Sequence, residues 1–242
     1  MKNEKLLRRW DLFYYKRLLK FKDDDKKDFF NKKGCGLEIE FGVKYERRCR
    51  WYIKTGLKKI KAVVGNKGKF VPDMTIGKDL NVEIVLNPLE KEELRELFFE
   101  IKEVIDFYEN FVFDEHCGIH ANFLADEELK EKFYDRLVNG GYDSKRFTHS
   151  KYKTDFMDIV FLEDGGVRDY KGYLDYQNRV AAKYAGVNFL KKNLVEFRTL
   201  DLKWDDIEYI INLYEEVESE HVIAVAADNL IKLPKNPFVA VL

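Results

Sequence analysis

Only three cysteines occur among the 242 residues, Cys35, Cys49 and Cys117, and no two are spaced as a zinc-binding CxxC. An odd count at unrelated spacings excludes a disulfide framework, and the expected setting is reducing and cytoplasmic. Long apolar runs are missing too. The longest uncharged one, Val222–Ala227, falls far short of the ~20 residues that a membrane span requires. The first residues, MKNEKLLRRWDLFYYKRLL, interrupt every apolar core with charge, so no signal peptide is legible. Net charge is nearly absent, with 43 Lys+Arg against 44 Asp+Glu. This balance excludes a globally basic nucleic-acid binder and an acidic-tail protein, though not a local patch. There is no phosphate loop either: GNKGK at Gly65–Lys69 lacks the GxxxxGK[ST] spacing.

What is present is core-forming material. Apolar residues are 45% and aromatics 15%, and charged residues, at 36%, exceed the usual ~25%. The length suits one large domain or two small ones and buries roughly 70–75% of the unfolded surface.

Residues 4–21 read as an amphipathic helix, with Leu6, Leu7, Trp10, Tyr14 and Leu18 at helical spacing. Met1–Lys22 holds eight Lys/Arg and two acidic residues, followed by the polar hinge DDDKK. This helix is either a basic arm for nucleic acid, an anionic membrane or a partner, or a helix packed on the body with a solvated cationic face. Residues 1–33 are thus set apart as a basic N-terminal extension, and 34–242 as the main domain.

Four strands follow from strict alternation. In GCGLEIEFGV, Gly36, Glu38, Glu40 and Gly42 share one face. In NVEIVL, Asn81, Glu83 and Val85 share one. In CGIHANFLA, Gly118, His120 and Asn122 do so, and in LVEFRTL, Leu194, Glu196, Arg198 and Leu200 do so. Residues 48–71 read as two or three further short strands around the Gly65–Gly68 turn. Helices are expected at about 90–110, from Asp126 as N-cap to about 138, at 176–186, 204–219 and 222–231. Residues 142–175 read as an aromatic-rich loop with a possible strand at 156–162. Its rings, Tyr142, Phe147, Tyr152, Tyr170, Tyr173 and Tyr176 among them, either pack or line a substrate mouth.

Each strand carries ligand-type side chains on one face and apolar ones on the other. The fold expected is α+β, an open sheet with helices on one face and an acidic site on the other. Taken singly, Glu-Ile-Glu or Glu-x-Arg is an ordinary solvated strand face. Together, Glu38, Glu40, Glu83, His120, Glu196 and Arg198 would gather carboxylates that repel unless cations hold them. Glu38 and Glu40, ~6.6–7 Å apart along a strand, suit two ions side by side. Two cations and an Arg can hold a polyphosphate while a phosphoryl group moves. No Cys/His/Asp pattern supports a thiol nucleophile, and Cys35 and Cys117 read as small buried or strand-end residues.

GLEIEF, Asp73-x-Thr75, NVEIVLNPL, CGIHANF and KYAGVNFLKKNLVEFRTL, in that order over Gly34–Leu200, together resemble the amidoligase family of carboxylate–amine ligases. The resemblance implies a glutamine synthetase-like, mostly antiparallel curved sheet and an ATP-dependent ligase that forms an amide through an acyl phosphate. It implies two or more Mg²⁺ ions (Mn²⁺ being an alternative), one held by Glu40 and Glu83 and the other by Glu38, His120 and Glu196. Arg198 would meet the transferring phosphate or the substrate carboxylate, and Asp73 is carried over as catalytic. Asn122, Lys183, Tyr184, Asn188 and Arg179 are carried over as contacts for ATP or substrate. Asn122 stands where many relatives have a second His, and no third glutamate is legible for the Glu40/Glu83 ion. The implied partners are a carboxylate, an amine and, in places, a second copy of the chain. Two other readings stay open: a metal-dependent phosphodiesterase or nuclease on the same face, and a non-catalytic binding protein acting through residues 1–22.

Overall fold

The computed structural model describes residues 2–21, 33–72, 78–140, 160, 166–179 and 185–231. Among them are six helices and seven strands. The helices are α1 (Lys2–Leu19), α2 (Arg50–Val64), α3 (Lys91–Phe107), α4 (Glu127–Asn139), α5 (Tyr170–Arg179) and α6 (Trp204–Ile231). The strands are β1 (Cys35–Val43), β2 (Gly68–Pro72), β3 (Leu80–Leu86), β4 (Phe111–Val112), β5 (Ile119–Leu124), β6 (Val187–Asn188) and β7 (Leu194–Leu200). All seven strands lie in one sheet ordered β2-β3-β1-β5-β7-β6, with β4 against the end of β1, and every pairing is antiparallel.

Alternation puts Leu37, Ile39 and Phe41 of β1 on one face, each fully buried. Val82, Ile84, Phe123 and Phe197 join them in a single core with Leu57 of α2, Phe98 of α3, Phe133 of α4 and Ile210 of α6. Each such side chain contributes roughly 1.5–3 kcal/mol by leaving water. Asp126 caps α4 by accepting from the Leu129 N–H at 2.8 Å. No helix of the described residues is long and apolar enough to cross a membrane.

Several local expectations change. Residues 50–64 are helical rather than strands, because Ile53, Leu57, Ile60 and Val64 recur at helical spacing and are all buried. Only Gly68–Pro72 of that stretch is a strand. The helix predicted at 176–186 starts earlier, at Tyr170, where Asp169 accepts from the Gly172 N–H at 2.7 Å, and is described as far as Arg179. The two C-terminal helices are one continuous helix, α6. The proposed strand at 156–162 falls largely outside the described residues.

Two faces also rotate. On α1, Tyr15 and Leu19 enter the core, whereas Trp10 and Tyr14 are 64% and 42% exposed. Asp11, buried on the same inward side, accepts from Arg50 and from the Tyr45 hydroxyl, each at 2.6 Å. On β7, a bulge between the pairs Ile119–Leu200 and Ala121–Phe197 inserts one residue, which turns Leu200 into the core.

Candidate functional site

The polar face of the sheet is assembled by register. Glu40 lies directly opposite Glu83 across β1 and β3. One row along, Lys69, Val85, Glu38 and His120 are successive cross-strand neighbours. The next row is Gly36, Asn122, Glu196 and Asn188. Cross-strand neighbours lie ~4.5–5.5 Å apart at Cβ, so these side chains share one patch.

His120 stands at its centre. Its Nδ1 is 3.4 Å from Glu38 Oε2 and 3.5 Å from Glu196 Oε1, and its Nε2 is 3.5 Å from Glu40 Oε1. One ligand atom from each of Glu38, His120 and Glu196 lies within 4.8 Å of the other two. The face expected to be open is covered: Glu38, Glu83, His120, Asn122 and Glu196 are between 1% and 5% exposed. Burying charge demands compensation, and the surrounding side chains supply part of it. Asn122 Nδ2 donates to Glu38 Oε1 at 3.3 Å, and Asn188 Nδ2 donates to Glu196 Oε2 at 3.0 Å. Both asparagines, expected to touch ATP or substrate, are seen to orient carboxylates.

Lys191 is the residue that the sequence reading missed. Its ammonium sits 2.8 Å from Glu196 Oε1 and 3.7 Å from Glu38 Oε1, and it donates to Asn122 Oδ1 at 3.3 Å. Its position depends on the tight turn before β7, where Asn193 adopts φ 57°. Sequence spacing could have flagged it only as one of two lysines ahead of LVEFR. Arg198 approaches from the other side, with Nε 3.7 Å from Glu196 Oε2.

The electrostatics follow from this packing. Burial works to raise the pKa of Glu196, but Lys191 and then Arg198 outweigh it and hold the carboxyl below the usual range. Burial pushes His120 down, with the Glu38 hydrogen bond opposing, so the imidazole is neutral at pH 7, the form that binds metals. His120 Nε2 and Arg198 Nε are buried without a hydrogen-bond partner. Such orphans cost about 1–3 kcal/mol each unless a bound group satisfies them. Gly118 leaves room beside them: a Cβ there would lie 3.5 Å from Glu40 Oε2 and 3.7 Å from His120 Nε2. The Nδ1 side of the neutral imidazole faces Glu38 and Glu196, and its orphaned Nε2 faces Glu40 and the Gly118 cradle; donors of these types fit a divalent cation.

Other predicted residues fall elsewhere. Asp73, Thr75, Lys183 and Tyr184 lie outside the described residues. Arg179 is exposed at the end of α5, and its Nε donates to the Asp175 carbonyl at 3.2 Å. Among the rings that either pack or line a substrate mouth, Tyr173 packs: it is fully buried and its hydroxyl donates to the Val187 carbonyl at 2.7 Å. Tyr170 packs edge-on against Phe189, and Tyr142, Phe147 and Tyr152 lie outside the described residues. Burial pushes the Cys117 thiol up to about 12 and raises that of Cys35 as well, which leaves neither a thiolate nucleophile. No family model matches the chain, and no curated protein matches it.

Proposed function

We propose that the protein is an ATP-dependent carboxylate–amine ligase that forms an amide bond on the polar face of its sheet. The observation that carries this reading is the convergence of Glu38, His120 and Glu196 within 4.8 Å, with Arg198 beside them, its buried Nε without a hydrogen bond. Glu38, His120 and Glu196 would hold one cation, and the facing pair Glu40 and Glu83 another. The imidazole and carboxylates together suit Mn²⁺ as well as Mg²⁺. Such cations neutralise ATP phosphates and charge that develops as a phosphoryl group moves.

The chain's own residues supply the rest. Arg198 presents a planar fork matched to a phosphate or a substrate carboxylate. Asn122 and Asn188 hold Glu38 and Glu196 in fixed rotamers, a preorganisation that saves reorganisation at the moment of reaction. Lys191, on a turn and 32% exposed, is able to swing between the carboxylates and a bound anion. The depth of the patch excludes water, which protects an activated carboxyl from hydrolysis.

Nucleotide hydrolysis in the presence of candidate carboxylates and amines tests this. ADP release that requires both co-substrates and a divalent cation, and that is lost in Arg198→Lys and Glu38→Gln, supports the ligase. ATP-independent cleavage of a phosphodiester overturns it in favour of a nuclease. One observation favours a second reading. Lys191 already neutralises Glu196 and Glu38, so the patch is also able to stand as a self-compensated polar core with no turnover. Under that reading no divalent cation binds, and Lys191→Met unfolds the protein with or without added Mn²⁺.

A further inference from the structure

We propose that the groove between α1 and α2 binds single-stranded nucleic acid, stacking bases on its exposed rings and pairing phosphates with its cations. Charge carries the first part of the argument. Residues 2–19 hold six basic and two acidic residues, and 47–64 hold seven basic and no acidic residues. These two stretches therefore bear +11 in a chain of net −1, which leaves −12 for the remainder. So strong a separation within one domain is the footprint of a polyanion site.

The shape and the rings carry the second part. An open groove of about 480 Å³ runs between the helices, lined by Trp10, Tyr14, Arg50, Trp51 and Lys54, with Asp11 and Tyr15 at its floor. Trp51 and Trp10 are 75% and 64% exposed, unusual for the residue type that packs best when buried. Lys54 reaches over the Tyr14 ring at 4.9 Å and so bridges the two helices. The groove's carboxylate, Asp11, is already neutralised by Arg50 at 2.6 Å and does not repel a phosphate. Base stacking on aromatic faces beside a cationic track is how sequence-tolerant single-strand sites work.

A membrane surface is the competing polyanion, and the composition of the patch disfavours it. Among the described side chains of α1 and α2, the large apolar ones that are exposed are Trp10, Phe13, Tyr14 and Trp51. A helix lying in a bilayer interface needs a continuous apolar face. Here the inward side of α1 is spent on the core through Tyr15 and Leu19. The groove also lies on the helix side of the sheet, opposite the carboxylate patch, so it stands independently of the ligase reading.

The test is fluorescence anisotropy of labelled oligo(U) and oligo(dT) titrated with the full chain, at several salt concentrations. Binding is expected to weaken steeply with salt. Trp51→Ala and Trp10→Ala should each weaken it about tenfold or more, while Trp51→Phe keeps most of the affinity. Lys54→Glu with Lys58→Glu should flatten the salt dependence by about 0.7 in log–log slope per lost phosphate contact. Circular dichroism melts should be unchanged, since these side chains are largely outside the core. Absence of oligonucleotide binding at low salt overturns the proposal. So does oligonucleotide binding that ignores both tryptophans, and so does binding to phosphatidylserine vesicles in place of the oligonucleotides.

Discussion

The two faces of the sheet are buried to the same depth by opposite means. On β1, Leu37, Ile39 and Phe41 are 0% exposed, while Glu38 between them is 2% exposed. The apolar face needs nothing further, because each contact with α2 or α3 is favourable on its own. The polar face is stable only as a set. Glu38 leans on His120, Asn122 and Lys191, and Glu196 leans on Asn188, Lys191 and Arg198. Removing a core side chain leaves a hole; removing a polar one leaves a charge. The first damages stability alone, whereas the second damages stability in a manner that a bound cation can repair.

The largest effect is expected on the apolar face. Phe41→Ala should cost about 3–5 kcal/mol in urea unfolding, with no rescue by Mn²⁺ or Mg²⁺. Rescue by either ion would break the separation between the faces. On the polar face, Lys191→Met should lower the urea midpoint in chelator and recover much of it when Mn²⁺ is added, because a cation then takes the place of the ammonium. Equal loss under both conditions would favour the self-compensated core.

Acid sharpens the same contrast. His120 is held below its ordinary 6.5, so the unfolded chain takes up a proton there before the folded chain does. Stability should therefore be level above about pH 6.5 and fall below it, by up to about 1.4 kcal/mol per pH unit for one such group. Glu196, also held low, adds a further loss as pH drops below its ordinary 4.5. Urea midpoints across that range measure both, and His120→Asn should remove the upper step. The smallest stability effect is expected from Gly118→Ala, whose Cβ would meet Glu40 and His120 at ordinary contact distances. It should leave the melt nearly unchanged while weakening Mn²⁺ binding, since it fills the space beside the orphaned His120 Nε2.

Alternation made the site strands legible, because period-two patterning separates Glu38 and Glu40 from Leu37, Ile39 and Phe41 without any tertiary knowledge. The register that joins Glu38 to His120 and Glu196 to Asn188 was not legible as geometry, since cross-strand partners are long-range choices. Helix α2 resembles strands in sequence for a specific reason. Tyr52, Ile53, Val63 and Val64 favour strands, and Gly56 looks like a breaker. Gly56 is there because a Cβ would come within 2.7 Å of the Phe111 ring and 2.9 Å of Tyr108. That is a packing demand between elements, invisible locally. The inward turn of Leu200 is not legible because a bulge has no signature in LVEFRTL, and the role of Lys191 is not legible because a turn aims it.

Mn²⁺ binding to the purified full chain, measured by calorimetry at pH 7, tests the central claim most directly. The account requires saturable binding that is lost in Glu38→Gln and in Glu196→Gln while both variants remain folded. A wild-type chain that binds no Mn²⁺, or variants that bind it as tightly as wild type, would contradict it.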